Sequence, residues 1–546
     1  MAHDGSCAVS EREQAGSCVA SLPGFCSDGY DVVMKMHSAW RTGLIILAPL
    51  LALILLLWPL SKRGFFVSDD GEWMVIRLSA FQQSIREGQF PVRYLGRLNH
   101  SYGYPVANFL YPGYLYLGAP LHVIGFTFPD SVKIIFAGSV IGSAYFVFLW
   151  LRRYFSSFES GIGTIGYVLA PYLTYDLYTR GSVGEVLAFL PASLGMYSIA
   201  SGNLHMLPFA VALLIVSHNS LAVIFLVLII AYGWARYGLR IFASVLFGLG
   251  MSSFFWIPAL YERRYVLFDQ AVVSRPFDYF LGTKTALLAG PAAILSWFVL
   301  AKRPIWKKQK SVKVMLISFA VFTFLALPLA QPVWTLPLMA KLFQFPFRML
   351  AVSVLVGAWI TAGAVHYIRR MRPLYVAVIL GFLLLPAAYR TRTVEIVTRP
   401  ETFYTTNEAT TTVADEYMPR WVRAKPLGHA NAPLEFAGGS GEIQILKAST
   451  QQIAAIIQTD DQSVIQINKI YYPGWGAMVD NTSVDISYDN PQGIMRISVP
   501  AGEHRLYAEF RETLFRFVTD IITLISLVTY GMYLVFRQIK LSRSQP

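Results

Sequence analysis

"VANFLYPGYLYLGAPLHVIGF", residues 106–126, is apolar enough to enter a membrane, yet Pro112 and Pro120 interrupt it and tyrosines crowd it. Whether it crosses decides the sidedness of everything that follows. If it lies along the surface, the basic stretches all fall on one side. They are Lys35 and Arg41, Arg152 and Arg153, Arg236 and Arg240, "KRPIWKKQKSVK" at 302–313, "RRMR" at 369–372 and the tail "RQIKLSR". If it crosses, every later loop flips and "KRPIWKKQK" faces outward, against the excess of Lys and Arg that cytoplasmic loops carry. The non-spanning reading is therefore adopted.

Composition agrees with a chain built for lipid. Of 546 residues, 55% are hydrophobic and 14% charged, against roughly 25% charged in soluble domains. Thirty-seven Phe, thirty Tyr and twelve Trp match the enrichment of rings at membrane interfaces. The net charge of +13 sits in short loops between apolar runs, which reports orientation and argues against a nucleic-acid partner. Apolar runs near spanning length, ~17–25 residues, recur at 42–60, 131–151, 160–178, 186–201, 203–217, 219–235, 241–260, 284–301, 312–330, 348–368, 373–390 and 514–536. The sequence thus predicts an α-helical polytopic membrane protein of about twelve transmembrane helices. The first run lacks a small-residue cleavage site and reads as an uncleaved span.

Three further regions stand out. Residues 1–38 are polar and hold all three cysteines, Cys7, Cys18 and Cys26; they read as a disordered tail or as sequence upstream of a true start at Met34 or Met36. No disulfide framework is available to the rest of the chain. Residues 391–512 alternate apolar and polar in short runs such as "EIQILKA", "SVIQINKI" and "IMRISV", the pattern of a β-sandwich, placed outside the membrane. A final span and basic tail occupy 513–546, and the main transmembrane domain 39–390 carries a first outer loop at 61–130. In that loop Trp73, Ile76, Leu78, Phe81 and Ile85 recur at helical spacing, with Arg77, Gln82 and Arg86 between them. This predicts a juxtamembrane helix lying in the interface.

With this register, Asp69, Asp70, Arg77, Arg180, Glu185, His218 and Arg348 all emerge on the outer face. Asp69 and Asp70 in "SDDGEW" also suit a turn or helix cap. Arg180 and Glu185 in "TRGSVGEV" suit a structural ion pair, and carboxylates at span ends are costly unless paired or wet. His218 in "VSHNS" titrates in a range useful for acid–base work but equally serves as a polar contact. Arg348 in "QFPFR" offers either aromatic stacking or a fork for phosphate. Tyr471, Tyr472 and Trp475 are candidates for carbohydrate stacking or for sandwich core. No P-loop or Rossmann glycine pattern is present.

The ordered series "DDGEW", "EGQFPVRYLGRLNHSYGYPVANFLYPGYLYL", "RGSVGEVLAFLP", "SHN", "QFPFR" and "YYPGWGAMVD…VPAGEHRLYAEF" resembles the bacterial membrane family labelled 6-pyruvoyl-tetrahydropterin synthase-related, which is similar to the GT-C superfamily of polytopic glycosyltransferases. The resemblance covers roughly residues 40–540. It implies an enzyme of the bacterial plasma membrane, acting on the outer face in cell-envelope glycan assembly. Such an enzyme moves a sugar from a polyprenyl-phosphate donor to a glycan, lipid or protein acceptor. It further implies Asp70 as the catalytic base with Asp69 beside it, Arg348 on the lipid phosphate, and Arg77, Arg180, Glu185 and His218 in substrate binding. A divalent cation, Mg or Mn, would fall to Asp69 and Asp70. Family members commonly place a histidine shortly after the Asp-Gly, where this chain has Met74, and that departure weighs against a metal in the loop. The alternatives are a flippase for lipid-linked glycans, or a non-catalytic scaffold on the same fold.

Overall fold

The computed structural model describes residues 47–269, 276–304, 309–368 and 371–543. The tail expected at 1–38, with its three cysteines and alternative starts, lies outside them, as do residues 305–308 of "KRPIWKKQK" and the first two residues of "RRMR".

Among the described residues, six helices are long and apolar enough to cross a membrane: Phe128–Leu151, Val183–Ser201, Asn219–Tyr237, Pro346–Tyr367, Arg372–Arg392 and Leu514–Ile539. Two bent pairs raise the number to eight if each is one span, Arg240–Met251 with Ser253–Tyr265 (74°) and Lys310–Leu325 with Pro328–Trp334 (88°). The chain is a multi-pass membrane protein, with fewer full-length spans among the described residues than the twelve apolar runs predicted. Proline accounts for part of the difference. The run at 160–178 breaks into Ser157–Val168 and Pro171–Tyr175, because a prolyl nitrogen has no N–H to continue the ladder. The runs at 203–217 and 284–301 yield apolar helices of only 11 residues, Leu207–Ser217 and Pro291–Ala301. The decisive stretch at 106–126 forms a helix over Gly113–Val123. At ~1.5 Å per residue, its 11 residues fall well short of a ~30 Å hydrocarbon core.

Burial separates bundle core from lipid face. In Pro346–Tyr367, 94% of the apolar window is buried, against 11% in Leu514–Ile539. The central helix can be enclosed because its neighbours approach closely. Gly163 faces it, and a Cβ there would lie 2.6 Å from the Ala358 carbonyl oxygen. Small residues at such crossings are the usual means of packing helices in lipid.

The ten strands among the described residues all pair antiparallel. β1 (Phe65–Phe66) pairs with β2 (Ile396–Val397), joining the first loop to the chain beyond the Arg372–Arg392 helix. β3 (Leu434–Gly438), β6 (Ser463–Ile470) and β9 (Ile494–Val499) form a three-stranded sheet in the order β3-β6-β9. β4 (Gly441–Ala448), β5 (Gln452–Thr459), β7 (Trp475–Val479), β8 (Thr482–Val484) and β10 (Gly502–Phe510) form a five-stranded one, β4-β5-β10-β7-β8. Ile453, Ala455 and Ile457 of β5 and Leu506 and Ala508 of β10 are buried, as are Ile465 and Ile467 of β6 and Met495 and Ile497 of β9. The two larger sheets lie within residues 434–510. The chain from 398 to 433 is mostly irregular and runs over the helix Gly71–Arg86.

That strap explains why the helix is not a surface helix. Ser79 Oγ donates to the Tyr404 carbonyl (2.6 Å) and Arg77 Nε to Thr411 Oγ1 (3.0 Å). The polar side expected to face water is covered by protein, and Ile76, Arg77, Leu78, Ser79, Ala80, Phe81 and Gln82 are all buried.

Two polar nodes fasten sheets to helices. Glu262, at the end of the bent helix, accepts from Arg516 Nε and Nη2 (both 2.8 Å), from Asn108 Nδ2 (2.8 Å) and from the Tyr472 hydroxyl (2.8 Å). Lys469 of β6 donates to the carbonyls of Gly96 (3.1 Å) and Ser101 (2.6 Å) in the first loop. Burial pushes the Lys469 ammonium down to about 8. Between that value and the ordinary lysine range the unfolded chain binds more protons, so stability attributable to this group rises with pH. The melting temperature of the wild type minus that of Lys469→Met should therefore increase from pH 7.5 to 9.5. A difference that stays flat or falls would contradict the burial of this charge.

Candidate functional site

The site begins at the acid pair. Asp70 immediately precedes the helix Gly71–Arg86, but its side chain makes no capping bond. Ser68 Oγ takes that duty, accepting from Gly71 N (3.3 Å). The Asp70 carboxylate is thus free to turn inward, where Arg180 Nη2 donates to Oδ2 at 3.2 Å. Main-chain bonds hold the turn in place, with Asp69 N donating to the Thr179 carbonyl and Asp70 N to that of Arg180, both at 2.9 Å. Gly181 makes this approach possible. Its φ is +64°, and a Cβ would lie 2.3 Å from Ser68 Oγ.

Arg180 closes a π-helical turn over Asp176–Arg180, a distortion often found at functional sites. It contacts Asp70, Glu185 Oε1 (3.4 Å) and Asp176 Oδ1 (3.9 Å). Glu185, fully buried in the first turn of Val183–Ser201, also accepts from Arg348 Nε at 2.9 Å, with Arg348 Nη2 in ion-pair contact at 2.9 Å. His218 Nε2 lies 3.7 Å from the same Oε1. Asp70, Arg180, Glu185 and Arg348, remote in sequence, form one continuous ionic chain.

His218 has a second duty. Its Nδ1 accepts from Leu221 N (3.2 Å) and caps the helix Asn219–Tyr237. An accepting Nδ1 fixes the neutral tautomer with its proton on Nε2, directed toward Glu185. Arg348 also donates through Nη1 to Phe343 O (3.1 Å) and Gln344 Oε1 (2.8 Å). The aromatic residues of "QFPFR" stack as well as support it. Arg180 lies over Phe345 (5.1 Å) and Phe347 (5.2 Å), and Arg348 over Phe345 (4.8 Å).

Asp70, Arg77, Arg180, His218 and Arg348 line one cavity of about 660 Å³. Its charged wall is strongly positive, with Arg77, Arg180, Arg263, Lys341 and Arg348 against Asp70 and Glu416. Arg77 is distinctive among these cations. It is 2% exposed and bonds to Thr411 and Met74, with no acidic partner among the described residues. The far wall is apolar, formed by Leu226, Leu249, Phe255, Trp256 and Leu260.

Glu185 stands behind the wall and contacts the cavity through its arginine partners. Asp69 is exposed and outside the lining, since consecutive residues at a helix entrance diverge. Arg180 holds the Asp70 carboxylate, and the His/Asp/Glu group able to hold a metal among the described residues is His100, Glu408 and His429. Tyr472 and Trp475 are buried in the core (0% and 5% exposed), so neither ring is open to a sugar. Tyr471 is half-buried, stacked on Tyr488 at 4.2 Å.

Two features escaped the sequence reading. Asp176 is fully buried beneath Arg180 with neither carboxylate oxygen hydrogen-bonded; an acid inside the apolar run "PYLTYDLY" was the available signal. The strap residues Thr411, Thr412, Glu416 and Tyr417 line the cavity, and no local pattern marks them.

No protein-family model and no curated protein matches the chain. Among solved structures it is similar to the arabinofuranosyltransferase AftD from mycobacteria, at 14% identity and a TM-score of 0.44, over 64% of this chain and 26% of that one. It is also similar to the Archaeoglobus fulgidus oligosaccharyltransferase in its apo form, at 12% identity and a TM-score of 0.36, over 68% and 56%. The complex of that oligosaccharyltransferase with Zn and sulfate aligns at 13% and 0.35, over 67% and 53%. The chain spans about a quarter of the first protein's length and just over half of the second's.

Proposed function

We propose that this chain is an integral-membrane glycosyltransferase that moves a sugar from a polyprenyl-phosphate donor to an acceptor on the outer face of a bacterial plasma membrane. The observation that carries this reading is the cavity itself. It offers one carboxylate, a surplus of guanidinium groups and an apolar wall, the complement of a lipid-linked sugar phosphate. Asp70 takes the proton of the acceptor hydroxyl as its oxygen bonds to the anomeric carbon. The bond from that carbon to the phosphate oxygen breaks, and the lipid phosphate leaves with the electron pair. Arg77 and Arg348 stabilise the charge that develops on it. Arg180 positions Asp70, and the GT-C resemblance of the sequence motifs points to the same chemistry.

Purified protein in proteoliposomes, supplied with defined polyprenyl-phosphate sugars and membrane-derived acceptors, should transfer the sugar. Movement of the donor lipid across the bilayer without transfer would replace this reading with a flippase. A second expectation concerns Gly181. Gly181→Ala should push the acid turn off Arg180 and lower kcat by about 10²-fold, the scale of an ångström-sized misplacement, with the chain still monodisperse in detergent. Unchanged turnover would show that this close approach does not set the position of Asp70.

A further inference from the structure

His100 lies more than 300 residues from Glu408 and His429 in sequence, yet their ligand-capable atoms all lie within 4.8 Å of one another. Local backbone builds the group. Asn99, His100 and Ser101 take φ values of 59°, 55° and 64°, forming a tight left-handed turn around Glu408. The Glu408 carbonyl accepts from Asn99 N (2.6 Å) and His100 N (3.4 Å), and its Oε1 accepts from Ser101 Oγ (2.9 Å). One carboxylate oxygen is therefore fixed by the turn. The other, Oε2, is buried and makes no hydrogen bond among the described residues, although His429 Nε2 faces it at 3.1 Å. The His100 and His429 rings meet edge to face, with centroids 5.7 Å apart.

A carboxylate oxygen facing an imidazole nitrogen, with a second imidazole alongside, is a donor set suited to a divalent cation. Tetrahedral coordination at Zn–N and Zn–O lengths near 2.0–2.1 Å places ligand atoms about 3.3 Å apart. The Glu408–His429 separation of 3.1 Å already matches, and the ligand-capable nitrogen of His100 lies within 4.8 Å of both. Two imidazoles and one carboxylate suit a borderline ion such as zinc better than magnesium or calcium, which take oxygen ligands.

We propose that His100, Glu408 and His429 bind a zinc-class divalent cation that clamps the strap at 408–429 onto the first outer loop. The clamp reaches the cavity through the chain. Thr411, Thr412 and Glu416, a few residues beyond Glu408, form part of its wall, so the ion sets the position of that wall without entering the reaction. The site stands on its own geometry and does not depend on the sugar-transfer reading.

The test uses the full-length protein, stripped with chelator and titrated with Zn²⁺ alone. Elemental analysis should find one zinc per chain in the wild type, and His429→Ala and His100→Ala should each weaken binding at least tenfold. His429 is exposed, so its removal should spare the fold. Zn²⁺ should also slow proteolysis within 409–430 in the wild type and not in His429→Ala. Co²⁺ added to the wild type should give the intense visible bands of a tetrahedral site, a readout that needs no variant. Zinc uptake equal in the wild type and both single variants, cleavage indifferent to Zn²⁺, or a Co²⁺ spectrum like that of the hydrated ion would each overturn the proposal.

Discussion

Asp70→Asn is expected to lower sugar transfer by about 10²–10⁴-fold, the range of a positioned general base, while the protein still folds and inserts. The substitution keeps shape and removes the proton acceptor. Asp70 is not a helix cap, since Ser68 fills that role, and it is half-exposed at the cavity wall, so little stability rests on it. The exposed neighbour serves as the internal control. Asp69→Asn should change transfer by less than about tenfold, well under the range of a positioned base, because Asp69 lies outside the cavity lining. Equal losses in the two variants would show that the pair acts as a unit and that the division drawn between them is wrong.

Glu185→Gln should have the largest effect on stability. Glu185 is 0% exposed and its Oε1 faces Arg348, Arg180 and His218. Removing one partner of a buried ion pair typically costs about 3–5 kcal/mol, because the other charge is left uncompensated. Arg180 keeps Asp70 and Asp176 as neighbours, whereas Arg348 has no other acidic partner among the described residues. The double variant Glu185→Gln/Arg348→Met should therefore recover part of the loss, and denaturant or thermal unfolding in detergent would measure it. Additive losses in the double variant would mean that the two groups are not coupled.

Some of this was legible in the sequence because the signal was local. Period-two runs at "SVIQINKI" and "IMRISV" became β6 and β9 at the same residues. The polar residues punctuating apolar sequence, Asp70, Arg77, Arg180, His218 and Arg348, came together around one cavity, since a membrane protein gathers its charges where they can pair or stay wet. Other features depended on tertiary cover. The helix Gly71–Arg86 has interfacial periodicity, but the strap from 398 onward buries it. The apolar runs at 241–260 and 312–330 have spanning length, but the chain bends through 74° and 88° inside them, and hydropathy does not register a bend. The pairing of His100 with Glu408 and His429 spans more than 300 residues and leaves no trace in spacing.

The central claim is that Asp70 and Arg348 serve one donor site. A structure of the protein with a non-hydrolysable polyprenyl-phosphate sugar analogue tests it most directly. The phosphate is expected within hydrogen-bond reach of Arg77 or Arg348, the anomeric carbon facing Asp70, and the prenyl chain against Leu226, Leu249 and Trp256. A phosphate bound outside this cavity, with Asp70 still paired to Arg180 and remote from the sugar, would contradict the account.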